Sequence, residues 1–167
     1  MALNRGKELE EKIKEALEKF DKKELCFQRL YDITMGYKNI KNPSDFIAYK
    51  KPTHFYIECK STKGNTLNFH DISQLDDLAD RSITEGVRAG VIIWYIEHKE
   101  TYWVDIRYIL DLRDKLFAKS VNIKNLRTLE LPNDLVFKID GITKRVFTDY
   151  DLKSFFDYYT QKDKKIV

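Results

Sequence analysis

Hydrophobic residues recur at three- and four-residue spacing over residues 7–20, where Leu9, Ile13, Ala16, Leu17 and Phe20 are separated by Glu and Lys. That is the stripe of an amphipathic helix with one face against a core. From Glu24 to Asn39 no single period dominates; Cys26-Phe27 and Leu30-Tyr31-Asp32-Ile33 can supply a short strand. Two strands follow, Asp45 to Lys50 and Thr53 to Ser61, on either side of Lys51-Pro52. The second alternates, with Phe55, Ile57 and Cys59 on one face and Tyr56, Glu58 and Lys60 on the other.

Further along, Ile72, Leu75, Leu78, Ala79 and Ile83 predict a helix from about Asp71, as its N-cap, to Glu85, with Gly86 as its stop. The run from Val87 to Ile96 contains VIIWYI and is too apolar for a sheet edge, so a buried central strand is expected, with Thr101 to Asp105 as its hairpin partner. Helical periods return at Ile106 to Phe117 and Asp149 to Tyr159. Trp94 and Trp103 fall within strand patterns and read as core. The order of elements predicts an α/β domain with helices packed on a small mixed sheet. Residues 1–160 are expected to form one domain, with Gln161 to Val167 as a flexible tail.

Composition adds limits. The chain has 167 residues, 43% hydrophobic and 34% charged, with a net charge of +3. Such a balance fits a globular domain and only mildly favours an anionic partner. Lys38, Lys41, Lys50, Lys51, Lys60 and Lys63 crowd one third of the chain, although charge alone favours a solvated surface. Cys26 and Cys59 lack zinc-knuckle spacing, and a reducing, cytoplasmic setting is expected. No stretch approaches a membrane span. Three histidines and scattered glycines support neither a His-metal nuclease nor a phosphate-binding glycine loop.

The chemistry concentrates in the two strands around Pro52. If they form a hairpin centred on Lys51-Pro52, residues whose numbers sum to 103 face one another, and Asp45 is set opposite Glu58. Two like charges held together call for a hard cation with oxygen ligands, Mg²⁺ with Mn²⁺ as substitute. Lys60, two residues beyond Glu58, shares its face and can stabilise charge growing on a phosphate. Other Glu-x-Lys triplets lack this setting. Asp80, upstream of Glu97-His98-Lys99, falls in a helical pattern, and Glu10-Glu11-Lys12 has no upstream Asp.

Three segments in order resemble the RecU-type Holliday junction resolvases, within the PD-(D/E)xK nucleases. They are Asn4-Arg5-Gly6 with Glu10, then Asn42-Pro43-Ser44-Asp45-Phe46 with Tyr56-Ile57-Glu58-Cys59-Lys60-Ser61-Thr62, then Leu67-Asn68-Phe69-His70-Asp71-Ile72-Ser73-Gln74. The resemblance spans residues 4 to 100 and implies a restriction-endonuclease-like core that cuts paired phosphodiester bonds of DNA junctions in recombination and repair, as a homodimer. It implies Asp45, Glu58 and Gln74 at the metal, Lys60 as the catalytic lysine, and Glu10 beside them. Asn4 and Arg5, with Lys41 and Lys63 near the hairpin, are the expected DNA contacts. Ser73 and Pro43 depart from the pattern, and the stretch before Asp45 is shorter than the basic stalk of the bacterial members. A compact relative acting on other branched or duplex DNA, or a non-catalytic DNA-binding module of the same fold, stays open.

Overall fold

The computed structural model describes residues 4–31, 41–144 and 147–166. In chain order the elements are α1 (Arg5–Glu18), β1 (Cys26–Arg29), β2 (Phe46–Lys50), β3 (Thr53–Thr62), β4 (Thr66–Asn68), a 3₁₀ turn (Phe69–Asp71) and α2 (Leu75–Ser82). They continue with β5 (Val87–Tyr95), β6 (Glu100–Asp105), α3 (Ile106–Leu116), β7 (Ser120–Asn122), α4 (Ile123–Arg127), β8 (Val136–Ile139), β9 (Gly141–Lys144), β10 (Phe147–Tyr150) and α5 (Lys153–Lys164). The fold is α/β: a six-stranded mixed sheet in the order β1-β2-β3-β5-β6-β8, flanked by helices. Only the β3–β5 pair is parallel within it. No helix is long and apolar enough to cross a membrane among the described residues.

The alternation along the strands divides the core into two layers. Phe55, Ile57 and Cys59 of β3 join Phe46, Ile92 and Trp103 against the buried stripes of α1 and α5. On the opposite face Val91, Ile93, Tyr102 and Val104 pack on α2, α3 and α4. β5 lies between β3 and β6, and Ala89 to Ile93 are buried, as its apolar run requires. Gly90 is there because Trp103 crosses it: a Cβ at residue 90 would sit 2.5 Å from the Val104 carbonyl oxygen and 2.8 Å from the indole. Trp94 is half-buried against the same layer, and Trp103 is fully enclosed.

The β2–β3 hairpin has the predicted register, from Phe46 opposite Ile57 to Lys50 opposite Thr53, across a turn whose Lys51–Pro52 peptide is cis. Other expectations need correction. The second helix starts at Leu75 and ends at Ser82, so Asp71 is not its N-cap. Burial of both Phe69 and Ile72 folds this segment into a tight turn, which Asp71 ends. Gly86, with φ +76°, makes the turn into β5 rather than capping the helix. Residues from Gln161 to Lys164 belong to α5 and not to a tail, since Asp163 is bonded to Arg88 and Thr53. The proposed strand at Leu30 to Ile33 lies partly outside the described residues; Cys26–Arg29 is the strand that forms. Lys38 also lies outside them.

Candidate active site

β2 begins at Phe46, and the consequence is chemical. One residue earlier Asp45 lies outside the paired register: its N–H still donates to the Ile57 carbonyl at 3.1 Å, and its Oδ2 accepts the Cys59 N–H of β3 at 2.7 Å. A carboxylate thus stands where a strand carbonyl would have been. A charge-assisted bond to a backbone N–H is strong and directional, so Asp45 is fixed against the middle of β3.

Glu58 is the next residue along β3, and its side chain is 1% exposed. One carboxylate oxygen, Oε1, meets the Lys60 ammonium at 2.8 Å; the other, Oε2, is buried without a hydrogen-bond partner. Burial pushes the Glu58 carboxyl up to about 7, Asp45 pushes the same way, Lys60 opposes both, and Glu10 adds to the rise. For Lys60, burial pulls the pKa down, but Glu58 and Asp45 outweigh that and hold it above the ordinary lysine value. The ammonium therefore stays charged at neutral pH, on a side chain one quarter exposed.

An orphan carboxylate oxygen beside a second carboxylate is an expensive arrangement, because a buried unpaired charge loses its hydration without replacement. A divalent cation would answer both conditions at once, as a counter-charge for Glu58 that offsets the repulsion from Asp45. Among the described residues no group of three or more His, Cys, Asp or Glu side chains is gathered as a metal site. Two carboxylates suit Mg²⁺ nonetheless, since that ion keeps several waters and completes its shell with substrate phosphate.

The remaining residues singled out by sequence fall into two groups. Glu10, on α1, is half-buried and bonded to Arg29 of β1 at 2.8 Å, so it reaches Glu58 through its field. Arg29 also holds Glu11 and was not anticipated; its signal would have been a cation in a strand facing an acidic helix. Gln74 is the N-cap residue of α2, where its Oε1 accepts the Ser73 hydroxyl at 2.6 Å. Lys41 donates to the Ser73 carbonyl and ties the approach to β2 to the start of α2. Lys63 is exposed in the turn after β3, and Asn4 and Arg5 are exposed at the amino end of α1. Among the described residues none of Asn4, Arg5, Lys41, Lys63 and Gln74 makes a hydrogen bond or ion pair with Asp45, Glu58 or Lys60. His70 and Asp71 pair with each other at 3.2 Å on the surface.

Comparison with known proteins gives little to set beside this geometry. No protein-family profile matches the chain, and no curated protein matches it. Among solved structures, a Holliday junction resolvase, Hjc, from Archaeoglobus fulgidus is similar over 81% of this chain and 88% of its own, at 17% identity and a TM-score of 0.45.

Proposed function

We propose that this chain is a divalent-metal-dependent DNA endonuclease of the PD-(D/E)xK type, with a restriction-endonuclease-like core and branched DNA, four-way junctions foremost, as substrate. The observation that carries the reading is the buried Oε2 of Glu58, without a hydrogen-bond partner among the described residues, beside the Lys60 ammonium and in the field of Asp45. The three segments resembling junction resolvases support the choice of substrate.

Asp45 and Glu58 would hold Mg²⁺ or Mn²⁺, with Gln74 and Glu10 in outlying roles. When bound, such an ion supplies Lewis acidity toward a phosphoryl oxygen and a nucleophilic water at neutral pH. The protein's own groups account for the rest. Glu58 must be ionised to serve as a ligand, so its elevated pKa makes cation holding weaken below about pH 7. Lys60, charged and partly exposed, would meet a phosphate entering from solvent, and its ammonium would offset negative charge gathering on the pentacovalent phosphorus. Water attacks in line and gives up a proton to solvent, the new P–O bond forms, and the opposite P–O bond breaks with its electron pair on the departing sugar oxygen, which takes a proton to become a hydroxyl. Symmetric cutting of a two-fold junction needs two such sites, hence a homodimer.

The test is cleavage of a synthetic four-way junction, a flap and a linear duplex, each with Mg²⁺ or EDTA. Mg²⁺-dependent incision, fastest on the junction, is expected. Absence of incision on all three would sink the nuclease reading; equal rates would remove the junction preference alone.

A further inference from the structure

We infer that Arg81 of α2 is a DNA-phosphate contact, held ready by Tyr56 of β3, and that the strand being cut runs from the carboxylate pair along β3 toward its amino end. The inference rests on the nuclease reading above. Its ground is where the Arg81 guanidinium goes: it lies over the Tyr56 ring, 5.2 Å from the centroid. Tyr56 points to the same face of β3 as Glu58 and Lys60, two residues before Glu58. At ~3.3 Å per residue that places Tyr56 roughly 7 Å from Glu58 along the strand.

What Arg81 does not contact is as informative. Arg29, Arg88, Arg107, Arg113 and Arg127 each hold at least one carboxylate. Arg81 has Asp77 four residues before it on the same helix, the spacing that favours ion pairing, yet no ion pair to it forms among the described residues. A guanidinium held over a ring face by its charge spends no N–H on a carboxylate, so its donors remain available to bind a phosphate. Arg81 is exposed, and Tyr56 is half-buried against the α2 layer, so the ring is a fixed platform under a solvent-facing cation. Arg5 is the other described arginine without a carboxylate partner, but it has no ring to fix it and stands at the amino end of α1.

The experiment uses the full chain with Glu58→Gln, which holds DNA without cutting it, on a fluorescent four-way junction and a linear duplex across a salt series. Binding constants are compared for Arg81→Ala, Arg81→Lys, Tyr56→Phe and Tyr56→Leu in that background. One lost phosphate contact lowers the slope of log K against log salt by about 0.9 on duplex or about 0.7 on single strand. Arg81→Ala is expected to show that decrement and Arg81→Lys to keep the slope. Tyr56→Phe keeps it too, and Tyr56→Leu weakens binding because the cation loses its platform. An unchanged slope for Arg81→Ala, in a protein whose wild type cuts DNA, overturns the Arg81 assignment and leaves the nuclease reading standing. A wild-type chain that neither binds nor cuts either DNA overturns both.

Discussion

Two clusters of buried charge hang on β3 and its parallel neighbour β5, and they are built on opposite principles. At the amino ends of these strands Arg88, only 5% exposed, donates to both oxygens of Asp163 at 2.6 and 2.9 Å and to Asp134 at 3.0 Å. Arg107 grips both oxygens of the enclosed Asp105, and Thr53 donates to Asp163 at 2.8 Å. Burial pushes the Asp163 and Asp134 carboxyls up, but Arg88 outweighs it and holds both below the ordinary range. Further along β3, Glu58 meets the Lys60 ammonium through one oxygen, its other oxygen has no partner among the described residues, and its carboxyl is pushed up instead of down. The first cluster has found its counter-charges within the chain and locks α5 to the sheet. In the second, Glu58 Oε2 has no hydrogen-bond partner among the described residues, and that orphaned oxygen marks it as a place for something the chain does not supply.

The contrast can be broken at either end. The largest effect is expected at the unsatisfied one: Asp45→Asn, Glu58→Gln or Lys60→Ala lowers Mg²⁺-dependent incision at least about a hundredfold while circular dichroism stays native. If any of the three cuts as wild type does, that residue leaves the site. At the satisfied cluster, Arg88→Met strands Asp163 and Asp134, and urea unfolding should show a loss of roughly 3–5 kcal/mol, with incision per folded molecule retained.

A third prediction separates the clusters by sign. Glu58 has a folded-state pKa near 7, above its ordinary value of 4.5. Its contribution to stability is therefore fully present below about pH 4.5 and lost as pH rises through 7. In metal-free buffer Glu58→Gln should stabilise the protein at pH 8, by on the order of 2–3 kcal/mol, and the gain should vanish toward pH 4.5. Mg²⁺ should raise the melting temperature of wild type at pH 8 and leave that of Glu58→Gln unchanged. Asp163, whose pKa is lowered, behaves oppositely: its contribution holds above the ordinary carboxylate range and falls away on acidification. The smallest effect belongs to the exposed pair of Arg113 and Asp114, where Arg113→Ala should leave melting and incision within error.

Sequence made the second cluster legible and hid the first, for a physical reason. Glu58 and Lys60 share a face of β3 and Asp45 directly precedes the strand paired with it, so one hairpin read from sequence brings the three near one another, although Asp45 falls one residue outside the paired register and bonds the Cys59 N–H. Arg88 and Asp163 are 75 residues apart, and neither the strand nor the helix carrying them indicates the other. That same partnership turns the apparent tail into the last turns of α5. Strands of three or four residues, β4, β7, β8, β9 and β10, are too short for their alternation to rise above chance. The start of α2 was misplaced because Asp71 looks like an N-cap, whereas two buried neighbours, Phe69 and Ile72, decide the backbone there.

The central place of β3 has an evolutionary corollary. β3 is hydrogen-bonded to β2 on one side and β5 on the other, and its two faces alternate residue by residue. Gain or loss of a single residue between Thr53 and Glu58 would rotate Glu58 and Lys60 into the layer of α1 and α5 and send Cys59 to the opposite face. This stretch can drift by substitution, but length changes in odd numbers are closed to it. In descendants of this gene, the spacing from Pro52 to Glu58 should vary less than the identity of the residues between them.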